Sequence, residues 1–175
     1  MSLQDLESAL PALLKFRRSK PRGIDWAFIE RELGASLPED FKELSDFYTG
    51  LILDDFLSVH APAPGAESEF ISVAQEFLED LEDLHGSDMS HGYAPFPELG
   101  GLIPWGDSPE GDTWYWKTGH SDPGRWLIVV SGHNDDWVEV DETLTGYLAG
   151  LVRGTLLPHA LPPNFPGRTP TVAVD

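Results

Sequence analysis

The sequence predicts an α+β domain in which helices pack on an antiparallel β-sheet meander. Three observations lead there. Apolar residues recur at helical spacing through the first half of the chain. Four short runs rich in aromatic and β-branched residues follow Gly101, separated by turns. The links between those runs are too short for parallel pairing, which needs a crossover of about a dozen residues or more. At 175 residues and 41% hydrophobic content, the chain is one globular domain able to bury a substantial core.

From the N-terminus, Leu6, Leu10, Leu13 and Leu14 repeat at helical spacing across Leu3 to Phe16, with Pro11 interrupting. Asp25 is placed to cap a second helix, with Ile24 and Ile29 as a hydrophobic staple over the cap and Gly34 as its left-handed stop. Ser36-Leu37-Pro38-Glu39 has the pattern of a capping box for a third helix, which carries Phe41, Leu44, Phe47 and Tyr48 and stops at Gly50. Leu51 to Val59 reads as one strand kinked at Asp54 and Asp55.

After the Ala61-to-Gly65 loop, an amphipathic helix is predicted from about Ser68 to His85. Phe70, Ala74, Phe77, Leu78, Leu81 and Leu84 form its apolar stripe, and acids fill the other face. His85 to Leu99 reads as an irregular loop. Strands are predicted near Leu102–Trp105, Thr113–Lys117, Arg125–Val130 and Trp137–Val140, and a helix from Glu142 to about Leu151 closes the domain. This organisation gives a basic helical arm over 1–23, the α+β domain over 24–154, and a Pro/Gly-rich extended tail over 155–175.

Charge narrows the function. Thirty acids against eleven lysines and arginines leave a formal net charge of -19. Such a surface repels nucleic acid and anionic membrane and attracts cationic surfaces. Lys15, Arg17, Arg18, Lys20 and Arg22 cluster near the N-terminus. Against so acidic a body they read as a solvated or self-docking segment. The chain has no cysteine, which excludes disulfides and thiolate chemistry. No signal peptide or long apolar run is apparent, so a soluble cytoplasmic protein is expected, with a monomer favoured.

Catalytic signatures are missing. No Gly-x-Ser-x-Gly elbow occurs, and Ser131, His133, Asp135 and Asp136 are turn neighbours rather than a triad drawn from distant segments. His85, Asp88, His91, His120, Asp122, His133 and Asp135 lie in loops without ligand spacing, and no phosphate-cradling glycine loop is present. No enzyme activity, metal or cofactor is expected; a metal-dependent hydrolase using loop histidines is the enzymatic alternative.

The segment Gly100 to Trp116 is the most informative. It holds Trp105, Trp114 and Trp116, with Asp107, Glu110 and Asp112 crowded into its turn. Trp114 and Trp116 share one face of a strand and Tyr115 takes the other. Here the chain also resembles a known family. Ile24-Asp25-Trp26, Ile29-Glu30, Leu33-Gly34, Leu37-Pro38, Asp40-Phe41-Lys42, Phe47-Tyr48 and Gly50 resemble the opening of the SUKH superfamily. Gly101-Leu102-Ile103-Pro104-Trp105-Gly106, Gly111-Asp112, Trp126 to Val130, and the Thr143-to-Leu151 helix with Tyr147 and Gly150 follow in the family's order. The resemblance spans about Ile24 to Gly154. It departs at Phe41, where tyrosine is common, and in the long link between the acidic helix and Gly100.

The resemblance implies helices on an antiparallel sheet and, in bacteria, a non-enzymatic immunity protein that neutralises a partner toxin, often a nuclease or deaminase. A fungal branch implies instead a regulatory or scaffold domain that binds a host protein. Loop placement nominates Asp54, Asp55, Asp107, Glu110, Asp112, Asp135 and Asp136 as the acids that meet a basic partner. Trp105 and Trp137 are the candidate aromatic anchors.

Overall fold

The computed structural model describes residues 2–175. In chain order it contains α1 (Leu3–Ala9), a 3-10 turn (Pro11–Phe16), α2 (Trp26–Leu33), α3 (Glu39–Phe47), β1 (Leu51–Leu53), β2 (Leu57–Val59) and α4 (Glu67–Gly86). Then come β3 (Leu102–Asp107), β4 (Thr113–Lys117), β5 (Leu127–Gly132), β6 (Asp136–Val140), α5 (Leu144–Arg153) and β7 (Val172–Val174). The strands form one antiparallel sheet in the order β6-β5-β4-β3-β2-β1-β7. This is the α+β arrangement that the patterning predicts.

Local chemistry explains most boundaries. Asp25 accepts a hydrogen bond from the Phe28 N–H at 3.0 Å, capping α2, and Gly34 ends it at φ 81°. Pro11 divides the first apolar repeat into α1 and the 3-10 turn, because its ring cannot continue an α-helix. Ser36 does not cap α3, as the capping-box pattern suggested; Pro38 occupies the N-cap position with no side-chain bond. The preceding loop is held instead by Glu30, which accepts from the Leu37 N–H at 2.9 Å and pairs with Lys42 at 3.0 Å.

The single strand expected over Leu51 to Val59 is a hairpin. Asp54 and Asp55 both adopt the left-handed region, at φ 52° and 51°, and reverse the chain between β1 and β2. Aspartate tolerates that conformation better than most residues, and two in succession make a turn rather than a kink.

The sheet has unlike faces. On one, Trp105, Trp114, Trp116, Ile128 and Val130 join Leu6, Leu13, Ile29, Phe41, Tyr147 and Leu148 in the main core. Phe41 meets Trp116 edge-to-face with centroids 5.0 Å apart, and the Trp114 indole N–H donates to the Tyr147 hydroxyl at 3.0 Å. On the other face, Leu102, Tyr115 and Val129 pack with Leu81 of α4, flanked by Tyr93 and Trp137. Gly106 is required where β3 pairs with β2: a Cβ there would stand 2.7 Å from the Ser58 carbonyl oxygen.

The terminal segments are built into this fold. Leu3, Leu6, Leu10 and Leu13 are buried, Arg17 pairs with Glu7 at 2.7 Å, and Glu7 accepts from the Tyr48 hydroxyl at 2.7 Å. Arg22 donates to the carbonyls of Ser45 and Tyr48 near the end of α3, at 3.0 and 2.9 Å. After α5 the chain crosses the sheet end, buries Phe165 against Phe56, and pairs β7 with β1. Phe165 and Val172 supply the apolar surface that holds this segment, although its composition reads as a tail.

Candidate functional site

Antiparallel pairing brings three hairpin turns to one end of the sheet. Residues 54–56 join β1 to β2, 108–112 join β3 to β4, and 133–135 join β5 to β6. Ser58 lies opposite Asp107, Asp107 opposite Thr113, Thr113 opposite Ser131, and Gly132 opposite Asp136. Successive turns lie two strands apart, roughly 10 Å. All seven nominated acids therefore reach the same end, although the sequence separates them widely.

They do not share one role. Asp55, Glu110, Asp135 and Asp136 are exposed. Among the described residues, no lysine or arginine forms an ion pair with any of the four. Asp135 pairs with His91 at 3.1 Å. Asp107 is half-buried and pairs with His60 at 2.8 Å. Asp54 accepts from the N–H groups of Gly167 at 2.7 Å and Thr171 at 2.6 Å, so it clamps the C-terminal segment rather than facing outward.

Asp112 must be removed from the candidate surface. It is fully buried, and its carboxylate accepts from the Ser108 hydroxyl, from the His133 backbone N–H at 2.9 Å, and bonds the His133 ring Nδ1 at 2.9 Å. Ser108 Oγ in turn accepts from the N–H groups of Glu110 at 3.2 Å and Asp112 at 3.1 Å. Asp112 thus ties the β3–β4 turn to the β5–β6 turn and sets the spacing of the exposed acids. Its hydrogen bond to the ring is the leading cause that raises the His133 pKa above its ordinary value; the nearby charges of Asp112 and Glu110 add to the effect.

Trp105 is also corrected. It is completely buried between Trp114, Trp116 and Tyr147, because the alternation of β3 turns it toward the main core. Trp137 is half-buried on the opposite face, stacked on Tyr93 at 5.2 Å and Tyr115 at 6.3 Å, and stays partly open to a partner. Sequence reasoning missed His60, Ser108 and the crossing segment near Phe165. His60 carried no local signal: only the β2–β3 register puts it beside Asp107.

The chemistry of this end is limited by its connectivity. Ser108, Asp112 and His133 have the residue types of a hydrolytic triad in the wrong order, since the acid lies between serine and histidine and no base faces the hydroxyl. Glu110, Asp112 and His133 each offer a ligand atom within 4.8 Å of the others. Both Asp112 oxygens are already engaged, so the groups left facing outward are His133 Nε2 and Glu110, 3.9 Å apart. Two donors fall short of the three or four protein ligands of zinc sites. His91, His120 and His133 take separate partners: Asp135, the Asp122 N–H and Asp112.

No helix among the described residues is long and apolar enough to cross a membrane. No known protein family matches the chain, nor does any curated protein or solved structure.

Proposed function

We propose that the protein is a non-enzymatic immunity protein, of the kind the SUKH resemblance implies, which binds and occludes a basic toxin domain. The observation that carries this reading is the row of exposed acids at one sheet end, Asp55, Glu110, Asp135 and Asp136, held on hairpin turns where, among the described residues, no lysine or arginine pairs with them. A nuclease cleft is basic because it must hold a polyanion. A fixed row of carboxylates is steered to such a cleft and blocks it with no chemical step. Trp137, on the strand that follows Asp135 and Asp136, supplies an aromatic contact beside them.

Co-expression with the toxin encoded beside its gene tests this. The wild-type protein is expected to restore growth, and the combined variant Asp55→Lys, Glu110→Lys and Asp136→Lys is expected to lose protection while keeping its circular dichroism spectrum. Full protection by the folded triple variant would overturn the choice of surface. Failure of the wild type to protect against any neighbouring toxin would overturn the immunity reading.

A further inference from the structure

The two borders of the sheet are finished differently. The 3-10 turn Pro11–Phe16 packs along β7. β6 has no neighbour on its outer side, and among the described residues nothing outside the sheet hydrogen-bonds to the backbone of 136–140. A strand paired on one side turns the N–H and C=O of alternate residues away from its partner, so β6 carries a row of unpaired ladder groups.

Natural edges are blunted by charged side chains, lysine above all, by proline or by a bulge. β6, with the sequence Asp-Trp-Val-Glu-Val, has no lysine or proline; its mid-strand charge, Glu139, is engaged by Lys117 and Tyr93, and its register with β5 runs unbroken over five pairs. Acid pairs stand at both ends instead: Asp135-Asp136 before the strand and Asp141-Glu142 after it. Beside Val138 and Val140 lies a groove lined by Tyr147, Leu156 and Leu157, and the Leu157 side chain is 68% exposed.

We infer that the β6 edge receives an extended basic segment of the protein partner as an added strand, an inference that rests on the basic-partner reading above. Backbone bonds to the open ladder supply affinity. Alternate side chains of the incoming strand enter the groove beside Val138, while basic residues at its ends meet the two acid pairs. The strand spans about 17 Å, room for about five residues. Charge decides against a second copy as the occupant. Antiparallel self-pairing sets Asp135-Asp136 of one chain against Asp141-Glu142 of the other, and like charges directly opposite are destabilising.

The test uses the full chain and a short capped peptide in which valine and threonine alternate between paired lysines at each end. A matched peptide has N-methyl groups on alternate residues, which keeps its charge but removes its ladder donors. At low salt, the unmodified peptide is expected to slow hydrogen exchange at alternate amides of 136–140 at least tenfold. The methylated peptide is expected to bind at least tenfold more weakly, as is the unmodified peptide to the double variant Asp141→Lys, Glu142→Lys. Equal binding of the two peptides, or protection elsewhere than β6, would sink the added-strand site while leaving the basic-partner reading to the growth assay. No binding of the unmodified peptide, or a dimer with β6 protected in its absence, would overturn the inference as well.

Discussion

Asp112 shows how one buried carboxylate organises a surface it never reaches. It is fully inaccessible, yet it holds Ser108 and His133 and so fixes where Glu110, Asp135 and Asp136 stand. Asp112→Ala leaves those donors without their acceptor, and the expected cost is about 2–3 kcal/mol in a urea titration. The same contact has a pH signature. The folded-state pKa of His133 lies above its ordinary 6.5, so the stability from this pair is complete below about pH 6.5 and fades as pH rises through the raised value. An NMR titration of His133 is expected to show the raised pKa, and Asp112→Asn to move it back down; an unchanged midpoint in that variant would refute the assignment. Asp55 offers a contrasting case. It sits at φ 51°, so Asp55→Gly relieves left-handed strain and is expected to raise stability by about 0.5–1 kcal/mol by thermal melting.

The crossing segment between α5 and β7 is the element whose attachment depends on few contacts. Asp54 accepts from Gly167 and Thr171, Phe165 packs on Phe56, and β7 adds three residue pairs to β1. Asp54→Gly removes the clamp and keeps the hairpin, because glycine adopts φ 52° without strain. Hydrogen exchange over 160–175 is expected to accelerate at least tenfold, with β4 and β5 unaffected; uniform acceleration across the sheet would mean that the segment and sheet open together. The central strands owe their protection to other forces. Trp114, Trp116, Ile128 and Val130 are buried, and full burial of each such side chain contributes roughly 1.5–3 kcal/mol.

At the scale of the molecule, charge opposes compaction. A net charge of -19 repels itself, and the described Lys and Arg side chains form few ion pairs with the acids: Arg17 with Glu7, Arg31 with Glu32, Lys42 with Glu30 and Glu39, and Lys117 with Glu139. Salt screens the repulsion more than it weakens these pairs. The urea midpoint is therefore expected to rise between low and physiological ionic strength; a fall would show that the native pairs dominate. For a binding protein the same repulsion is an asset, since it is relieved when a basic partner docks.

Period, caps and turn residues settled the fold class and most elements without any tertiary information. The spacing of Phe70, Ala74 and Leu81 marked α4, Asp25 and Gly34 bounded α2, and the short links after Gly101 required antiparallel strands. These are local signals, legible because they depend on neighbours within a few residues. Tertiary structure decided what depends on distant ones. Trp105 and Asp112 look like surface groups in their turn-rich segment, but strand alternation and the facing β5–β6 turn bury them. The hairpin at Asp54-Asp55 is a local turn that its two left-handed aspartates make, whereas the docking of residues 155–175 supplies β1 with its second neighbour and Phe56 with cover from chain more than 100 positions away. Composition alone established that the surface is acidic; only pairing register determined that Asp55, Glu110, Asp135 and Asp136 share one end, because side-chain placement in a sheet depends on which strands lie side by side.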